Sequence, residues 1–349
     1  MADWIDGLND NPLPWLLDAA NPGVRHLALR QLCNRRADDA DVRAAQSAAM
    51  AVGPIAAMLA AQDSGGWWVA PGAGYVPKYA STVWTVVFLD QLGADGGDPR
   101  IRTACAYLLD HAQTASGGFG AVAAGERRPG PSTAIHCLNG NLLRALIGFG
   151  WLDDERVARS IDWQAAAITG VGDIRYYRSS MSGPGFRCGA NDGLPCAWGA
   201  TKAVLALARI PPERRTPPVR RAIDAGVSFL LSRDPATADY PIGYGNTKPN
   251  SSWFKIGFPS GYVTDVLQVL EALCEAGAAG DRRLGPAVRW LLAQQDGRGR
   301  WANRYAYSGK MVVDIDVQGQ PSRWVTLRAC RVLRAVAESR RDEHARAGA

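Results

Sequence analysis

TVVFLDQLGADGGDPRIRTACAYLL (85–109) is the first of four segments that share one plan. Each segment contains an apolar helix, a turn, a polar step that carries an arginine, and a second helix with an apolar end. The other three are NLLRALIGFGWLDDERVARSIDW (141–163), AVLALARIPPERRTPPVRRAIDAGVSFLL (203–231) and VLQVLEALCEAGAAGDRRLGPAVRWLL (266–292). The step arginines, Arg100, Arg156, Arg215 and Arg283, are 56, 59 and 68 residues apart. Since one helical hairpin cannot bury its apolar face alone, the repeats predict stacked hairpins.

Apolar and more polar helical segments alternate along the chain. The apolar set is 80–93, 133–149, 197–209, 260–277 and 322–337, and the polar set is 98–113, 154–168, 216–232 and 282–295. A ring needs this alternation, because inner helices pack on every side whereas outer helices face water on one side. We therefore predict an all-α, α/α-toroid domain over 1–349 with five to six hairpins. Residues 1–62 would form irregular N-terminal helices at the start of the ring, and 338–349 a basic tail.

Long Gly-, Pro- and aromatic-rich loops separate each polar helix from the next apolar one, at 114–131, 169–196, 233–259 and 296–321. Loops of this length in a compact domain are usually functional or disordered. In a ring of hairpins they meet at one rim, beside the N-termini of the inner helices. Those termini make the rim electropositive. The pattern predicts a central apolar cavity that opens there.

Composition limits the function classes. The formal net charge is +6, and 34 of the 39 basic residues are arginine, spread along the chain. We see no basic face interleaved with aromatic residues, so nucleic-acid binding is not expected. The apolar runs are shorter than the roughly 20 residues that a membrane helix needs, and the N-terminus lacks a signal-peptide pattern. We expect a cytoplasmic protein without disulfides; the oligomeric state is not predicted.

Three helix ends resemble the Gln-Trp repeat of the prenyltransferase and squalene-cyclase superfamily: MLAAQDSGGWW (58–68), YLLDHAQTASGGFG (107–120) and WLLAQQDGRGRW (290–301). The chain is similar to a bacterial squalene-cyclase-like group with one barrel. CLNGNLLRALIGFGW, LPCAWGATKA, SWFKIGFPSGYVTDVLQVLEAL and PSRWVTLRA carry that similarity. The resemblance implies an α/α toroid. It also implies a terpene cyclase-like or prenyltransferase-like enzyme that acts on a small, largely apolar, isoprenoid-like substrate in the barrel.

The sequence departs from both chemistries of that superfamily. Squalene-type cyclases use the middle Asp of an Asp-x-Asp-Asp motif, and the nearest string here, Asp314-Ile315-Asp316-Val317, lacks the fourth acidic residue. Protein prenyltransferases hold zinc with an Asp-x-Cys pair and a distant His, and Asp-x-Cys does not occur in this sequence. Neither mechanism is carried over on the resemblance alone.

Cys137, Cys188 and Cys196 form the first candidate site, with His136 as a weaker fourth ligand. The ring places the three thiols on adjacent staves at the electropositive rim. Three thiolates with an open fourth position suit catalytic zinc, which favours Cys and His ligands. The alternative is three small buried thiols, because C-x7-C is not a zinc-finger spacing. We therefore treat zinc as a hypothesis for this site.

Asp314 and Asp316, with Lys310 ahead of them, form the second candidate. The alternation in KMVVDIDVQ predicts a short strand or extended loop with both carboxylates on one face. They could act as general acid and base or bind a cation, and a solvated hairpin is the alternative.

Aromatic and basic residues near the rim form the third candidate. Aromatic faces could stabilise carbocations, and basic side chains on inner helices, Arg328 among them, could neutralise a diphosphate. Loop packing and pairing with Asp or Glu are the alternatives. The candidate substrate-binding residues are Trp253, Phe254, Phe258, Tyr262, Trp324, Trp198, Arg144 and Lys202.

The leading functional prediction is an enzyme, zinc-dependent through Cys137, Cys188 and Cys196, that acts on an apolar substrate in the barrel. A non-catalytic barrel that binds a lipid or a partner protein is the alternative. A third reading is an acid-initiated polyene cyclase that uses Asp314 or Asp316.

Overall fold

The structure, a computed structural model, describes residues 4–122, 129–171 and 181–347. Within these ranges the chain forms thirteen α-helices and six short 3-10 helices, and its β-pairing is confined to isolated bridges. The helices are α1 (Leu13–Leu16), α2 (Pro22–Gln31), α3 (Ala40–Ala51), α4 (Gly53–Ala60), α5 (Thr82–Gln91), α6 (Pro99–His111), α7 (His136–Gly148), α8 (Glu155–Thr169), α9 (Ala197–Ala208), α10 (Pro217–Leu230), α11 (Val266–Glu275), α12 (Gly285–Leu292) and α13 (Arg323–Ala347).

The helices form two concentric rings, as the alternating pattern predicts. In the described parts of the chain, the inner ring runs in the order α2, α5, α7, α9, α11 and α13, with successive helices from α5 to α13 packed on each other and α13 packed on α2. The outer helices α3, α6, α8, α10 and α12 each cover the inner helix that precedes them. The inner helices α5, α7, α9 and α11 are buried almost throughout: α5, for example, is buried from Thr82 to Leu89. The protein is therefore an α/α toroid of five to six hairpins.

Gly23, at the start of α2, closes the ring. A Cβ at Gly23 would lie 3.0 Å from the Trp324 ring of α13 and 3.5 Å from the Leu92 carbonyl oxygen after α5. A side chain there would hold these elements apart. The N-terminal helix α2 is thus the inner helix that lies between the final helix, α13, and α5.

The step arginines have a repeated structural role. Asp98 is the N-cap of α6: its carboxylate accepts the Arg100 amide at 2.8 Å, and the Arg100 guanidinium folds back onto it at 2.7 Å. Asp154 with Arg156 repeats this contact, and so does Asp281 with Arg283. An N-cap carboxylate satisfies an orphan amide of the first turn. In the remaining copy, Arg215 instead donates to the backbone carbonyls of Ile210 and Ala208.

The Gln-Trp segments join neighbouring outer helices. Gln113, which follows α6, donates to the Arg156 carbonyl and the Ser160 hydroxyl of α8, each at 2.7 Å. Gln62 makes the equivalent bond to the Arg100 carbonyl at 3.0 Å. Trp68 packs back on its own repeat and donates to the Met58 carbonyl at 2.8 Å. These residues are scaffold, so chemistry has to be sought in the loops and the lumen.

Two helix boundaries differ from those predicted. α11 begins at Val266 rather than at 260, because the Asp265 carboxylate caps the helix by accepting the Gln268 amide. α13 continues to 347, where we predicted a basic tail, and an Arg334–Glu338 ion pair at 2.7 Å supports its extension. Residues 348–349 of that tail lie outside the described ranges.

No single helix in the described segments has both the length and the apolar composition to cross a membrane, although one bent pair, Ala40–Ala51 with Gly53–Ala60, meets those two criteria together.

Candidate functional site

A loop fills the middle of the barrel. This plug segment, residues 257–264, lies between α10 and α11 in the chain and crosses the lumen. It is attached to several inner helices through their polar side chains. Gln91 of α5 exchanges two hydrogen bonds with the Ser260 backbone, both at 2.7 Å. Asn141 of α7 donates to the Gly261 carbonyl at 3.2 Å.

Two buried cations complete the attachment of the plug segment. Lys202 of α9 donates to the Val263 carbonyl (3.3 Å), to the Thr264 hydroxyl (2.6 Å) and to Gln268 Oε1 (2.9 Å). Arg328 of α13 donates to the Gly257 carbonyl at 2.6 Å. Because polar groups from α5, α7, α9 and α13 all end on this one loop, the plug segment divides the lumen into two compartments.

The larger compartment, the axial cavity, has a volume of about 550 Å³. It lies on the side of the plug segment where α5, α7 and α9 end, and charged side chains dominate its wall. Arg144 and Glu275 form a two-point ion pair at 3.0 and 3.1 Å, and Arg209 pairs with Asp90. This differs from the apolar lumen that we predicted, because the inner helices carry their few polar residues on the face toward the axis.

The rim expected to be the mouth is covered by aromatic side chains. Tyr79 stacks on Tyr307 with ring centroids 3.9 Å apart, and Tyr305 meets Tyr307 edge-on at 5.4 Å. The Tyr307 hydroxyl accepts the Val263 amide at 3.4 Å. The loop 296–321 contributes Tyr305 and Tyr307 to this cover, so the barrel axis is covered here rather than open.

A second pocket lies beside the start of α9. This thiol pocket has a volume of about 220 Å³, and its wall includes both sulfur groups of the CGANDGLPC turn. Trp198 meets Tyr262 edge-on at 5.4 Å, and Trp253 packs on Tyr240 at 5.3 Å. Lys78 lies over the Tyr262 ring at 4.6 Å. The principal side chains of the wall are Cys188, Cys196, Trp198, Tyr240, Trp253 and Tyr262.

Cys188 and Cys196 are hydrogen-bond partners. A hydrogen bond from the Cys196 thiol lowers the pKa of Cys188 to about 6, against the opposing effect of burial, and the amides of Ala190 and Asn191 act in the same direction. The same contact and burial raise the pKa of Cys196 well above its usual value. At neutral pH the pair therefore holds one thiolate and one thiol.

Cys137 lies close enough to Cys188 and Lys202 to interact with both electrostatically. Burial raises the pKa of Cys137 to about 11, so this sulfur stays protonated at neutral pH. The ring thus brings the three predicted thiols into one region, where the pKa is lowered at Cys188 and raised at Cys137 and Cys196.

The structure directs His136 away from the thiols. Its Nε2–H donates to the Gly183 carbonyl at 2.9 Å, and its Nδ1 accepts from Gln164 at 3.0 Å. Burial lowers the pKa of His136 to about 4. Among the described residues, no group of three or more His, Cys, Asp or Glu side chains could hold a metal ion. The donor set does not fit zinc, which stays a prediction from the sequence.

The Asp314–Asp316 pair stabilises a surface turn. Asp314 is exposed and accepts the Gly309 amide at 2.9 Å. Asp316 accepts from the Ser322 hydroxyl and from Asn303, and burial raises its pKa. Lys310 is exposed. Neither carboxylate is among the described residues that line the axial cavity or the thiol pocket. The turn also differs from the strand that one interpretation predicted.

The predicted substrate-binding residues divide between the two compartments. Trp198, Trp253 and Tyr262 line the thiol pocket. The others line the axial cavity, except Phe254. Its ring centroid lies 6.4 Å from that of Trp290 of α12. Those lining the axial cavity are Arg144, Lys202, Phe258 and Trp324, the last two stacked at 4.8 Å.

Sequence reasoning missed the residues that hold the plug segment and cover it. Gln91, Asn141 and Gln268 are polar residues on mostly apolar inner helices, and that contrast is the signal that could have identified them. The same helices also carry charged residues, so the contrast does not single these three out. Tyr79 and Tyr307 lie in loops without a periodic pattern. Their stacking joins residues far apart in the chain, so no local signal indicates it.

Lys202→Met is expected to loosen the plug segment. The change removes three hydrogen bonds and leaves buried acceptors unpaired, each of which costs about 1–3 kcal/mol. We expect the free energy of unfolding to fall by about 2–4 kcal/mol and the amides of residues 261–264 to exchange hydrogen faster. Lys255→Met, a matched change at an exposed lysine, should alter neither. Unchanged exchange at 261–264 in Lys202→Met would show that the lysine does not hold this loop.

Comparison with known proteins gives only distant likenesses. No protein-family model matches the chain, and no curated protein matches it. A protein from Actinoplanes shares 15% identity over 92% of this chain and 90% of that chain, with a TM-score of 0.43. Apo type II terpene cyclase MstE from Scytonema shares 15% sequence identity over 82% of this chain and 96% of that chain, with a TM-score of 0.26. An MstE variant in complex with the product merosterolic acid A shares 14% sequence identity over 89% of this chain and 99% of that chain, with a TM-score of 0.32. These values are too low to carry a conclusion, so the toroid rests on the helix packing itself.

Proposed function

We propose that this protein is an enzyme that uses the Cys188 thiolate as a nucleophile on a small, largely apolar substrate bound in the thiol pocket. One observation carries this proposal: two hydrogen-bonded cysteines, Cys188 and Cys196, line an aromatic pocket. Thiolates are the reactive form of cysteine, and catalytic cysteines occur in partly exposed microenvironments that lower their pKa. Cys188 is partly buried and faces such a pocket.

The two sulfurs suit a covalent step. The Cys188 sulfur supplies the electron pair for a new bond to an electrophilic carbon of the substrate. The bond from that carbon to its leaving group breaks as the new bond forms. Cys196 retains its proton at neutral pH and lies beside Cys188, so it can give that proton to the departing group. The pair thus provides a nucleophile and a general acid.

The wall of the pocket limits the substrate. Trp198, Trp253 and Tyr262 offer aromatic faces that contact apolar groups well. A volume of about 220 Å³ lies below the range of about 300–1,000 Å³ typical of sites for drug-sized ligands. We infer a small isoprenoid-like or aromatic substrate rather than a long polyene. The acid-initiated cyclase has less support, because Asp314 and Asp316 accept hydrogen bonds in a surface turn.

Alkylation with two matched probes tests the proposal. Iodoacetamide and its N-benzyl derivative carry the same reactive carbon, but only the second has an apolar group that the pocket could bind. We expect N-benzyl iodoacetamide to modify Cys188 with saturable kinetics, as peptide mapping would show. Trp198→Ala should slow this probe at least about tenfold at low concentration, a loss of about 1.4 kcal/mol of binding. The rate of iodoacetamide itself should not change.

Three results would redirect the assignment. Equal, non-saturating rates for both probes would overturn the proposed substrate pocket. Stoichiometric zinc in the purified protein, lost in Cys188→Ser and Cys196→Ser, would replace the nucleophile with the zinc site predicted from the sequence. Recovery of a bound apolar lipid, together with non-saturable labelling of Cys188, would favour the non-catalytic barrel. Cys33→Ala removes another partly buried thiol and serves as the matched control.

A further inference from the structure

The axial cavity is a second compartment that the proposed thiol chemistry does not use. It lies across the plug segment from the tyrosine-covered rim, and all six described inner helices contribute to its wall. A neighbouring pocket of about 340 Å³ between α2, α11 and α13 shares Arg30, Gln31 and Arg331 with it. The two together form a connected space from the plug segment toward the ends of those helices.

Three guanidinium groups in this cavity surround two carboxylates. Glu275 accepts from Arg144 at 3.0 and 3.1 Å and from Arg331 at 2.8 Å. Glu271 accepts from Arg328 at 2.6 Å, and Arg331 lies 3.8 Å from it. This cluster therefore retains one positive charge. The side chains of Arg144 and Arg331 are 19% and 26% exposed, so both guanidinium groups remain accessible from the cavity.

Two more cations have only neutral hydrogen-bond acceptors in the described part of the chain. The Lys202 ammonium is bound to a carbonyl, a hydroxyl and an amide oxygen. Asp265 lies within electrostatic range of Lys202, but its oxygens accept the amides of Gly257 and Gln268. Arg30, at the outer edge of the cavity, donates to the Arg35 carbonyl.

The total charge of the wall is positive. Among the described residues that line the axial cavity there are six cationic and four anionic side chains. They are Arg30, Arg144, Lys202, Arg209, Arg328 and Arg331 against Asp90, Asp95, Glu271 and Glu275. Charge in a partly buried space is costly unless it is paired. A ligand with one or two negative charges would supply the missing pairs.

From this geometry we infer that the axial cavity binds a compact organic anion that carries a carboxylate or phosphate group. Arg144 and Arg331 would contact the anionic group, because planar guanidinium groups suit both oxyanions and these two converge on the same carboxylate, Glu275. Glu275 now occupies both guanidinium groups and so competes with the ligand. The Phe258–Trp324 stack offers an apolar surface in the same cavity for the rest of the molecule.

Calorimetry with inorganic pyrophosphate and with citrate, at constant ionic strength set by NaCl, tests this inference. We expect either anion to bind the unmodified protein and to raise its melting temperature more than NaCl does. Glu275→Gln should tighten binding at least about tenfold, because it frees two guanidinium groups. Arg331→Gln should weaken binding by a similar factor. Arg282→Gln, at an exposed arginine, should leave the affinity unchanged.

The relative affinities for pyrophosphate and citrate, and the effects of the variants on them, test the proposed anion site. Preference for pyrophosphate would assign a phosphate ligand, and preference for citrate a carboxylate ligand; both support the site. If both anions act only as NaCl does, or if Arg282→Gln weakens binding as much as Arg331→Gln, the inference is overturned. If Glu275→Gln does not fold, Arg331→Gln alone still tests it. Cys188→Ala should bind the anion normally, so failure of the thiol chemistry and failure of this site are distinguishable.

Discussion

Gly140→Ala is expected to destabilise the whole barrel. Gly140 lies on α7 where that helix meets α9, and a Cβ there would lie 2.5 Å from the Lys202 carbonyl oxygen and 2.6 Å from the Ala203 amide nitrogen. Both atoms belong to the α9 backbone, so no change of rotamer can relieve the overlap. Alanine gains up to about 1 kcal/mol of helix propensity over glycine, but overpacking of a core typically costs about 1–3 kcal/mol and can exceed that.

We expect a net loss of about 3 kcal/mol or more in the free energy of unfolding, measured by chemical denaturation. Gly285→Ala is the matched control: this glycine is also helical, and its Cβ would lie 3.4 Å from the end of the long Arg289 side chain. That control should change stability by no more than about 1 kcal/mol. Equal unfolding midpoints for the two variants would show that α7 and α9 can separate at little cost.

The same contact affects both compartments. The α9 backbone opposite Gly140 carries Lys202, whose ammonium holds the plug segment. Cys196 is the N-cap of the same helix and lines the thiol pocket. A displaced α9 would therefore loosen the plug segment and separate the two sulfurs. Gly140→Ala should accordingly lower the reactivity of Cys188 in whatever fraction of the protein stays folded.

The ring was predictable because it depends on local patterns. Each inner helix is an apolar run bounded by its own turn, and Asp98 with Arg100 shows that a cap is encoded within three residues. The closeness of Cys188 and Cys196 follows in the same way, because the residues on either side of the turn pair as Arg187 with Pro195. Patterns with short spacing specify geometry without knowledge of the rest of the chain.

The contents of the lumen could not be predicted in this way. Gln91 binds Ser260, which is 169 residues away, and Arg144 pairs with Glu275, 131 residues away. One sequence shows that such residues are polar but not which partner each one meets. We expected an apolar lumen because the helices are apolar on average. A few polar positions per helix that face the axis, such as Arg144 and Glu275, are enough to make it charged.

Cys196→Ala is expected to shift the pH dependence of Cys188 alkylation. In the unmodified protein the rate should be half-maximal near pH 6, because the Cys196 thiol donates to the Cys188 sulfur and lowers its pKa to about 6. Alanine removes that donor, while burial continues to favour the protonated thiol. We therefore expect the midpoint to rise to about 8.5, the ordinary pKa of a cysteine thiol, or higher. Iodoacetamide rates between pH 5 and pH 10, with Cys188 identified by peptide mass, would measure the shift.

The direction of the shift shows whether the Cys196 hydrogen bond lowers the pKa of Cys188 or whether the two sulfurs are merely close to each other. Thiolate forms as the pH rises through the pKa, so a higher midpoint means that Cys188 is less ionised at neutral pH. Cys196→Ser keeps a hydroxyl donor and should give an intermediate midpoint, whereas Cys33→Ala should leave the midpoint near 6. If Cys196→Ala also keeps it near 6, the amides of Ala190 and Asn191 would be sufficient to stabilise the thiolate. Cys196 would then have no part in activating the nucleophile.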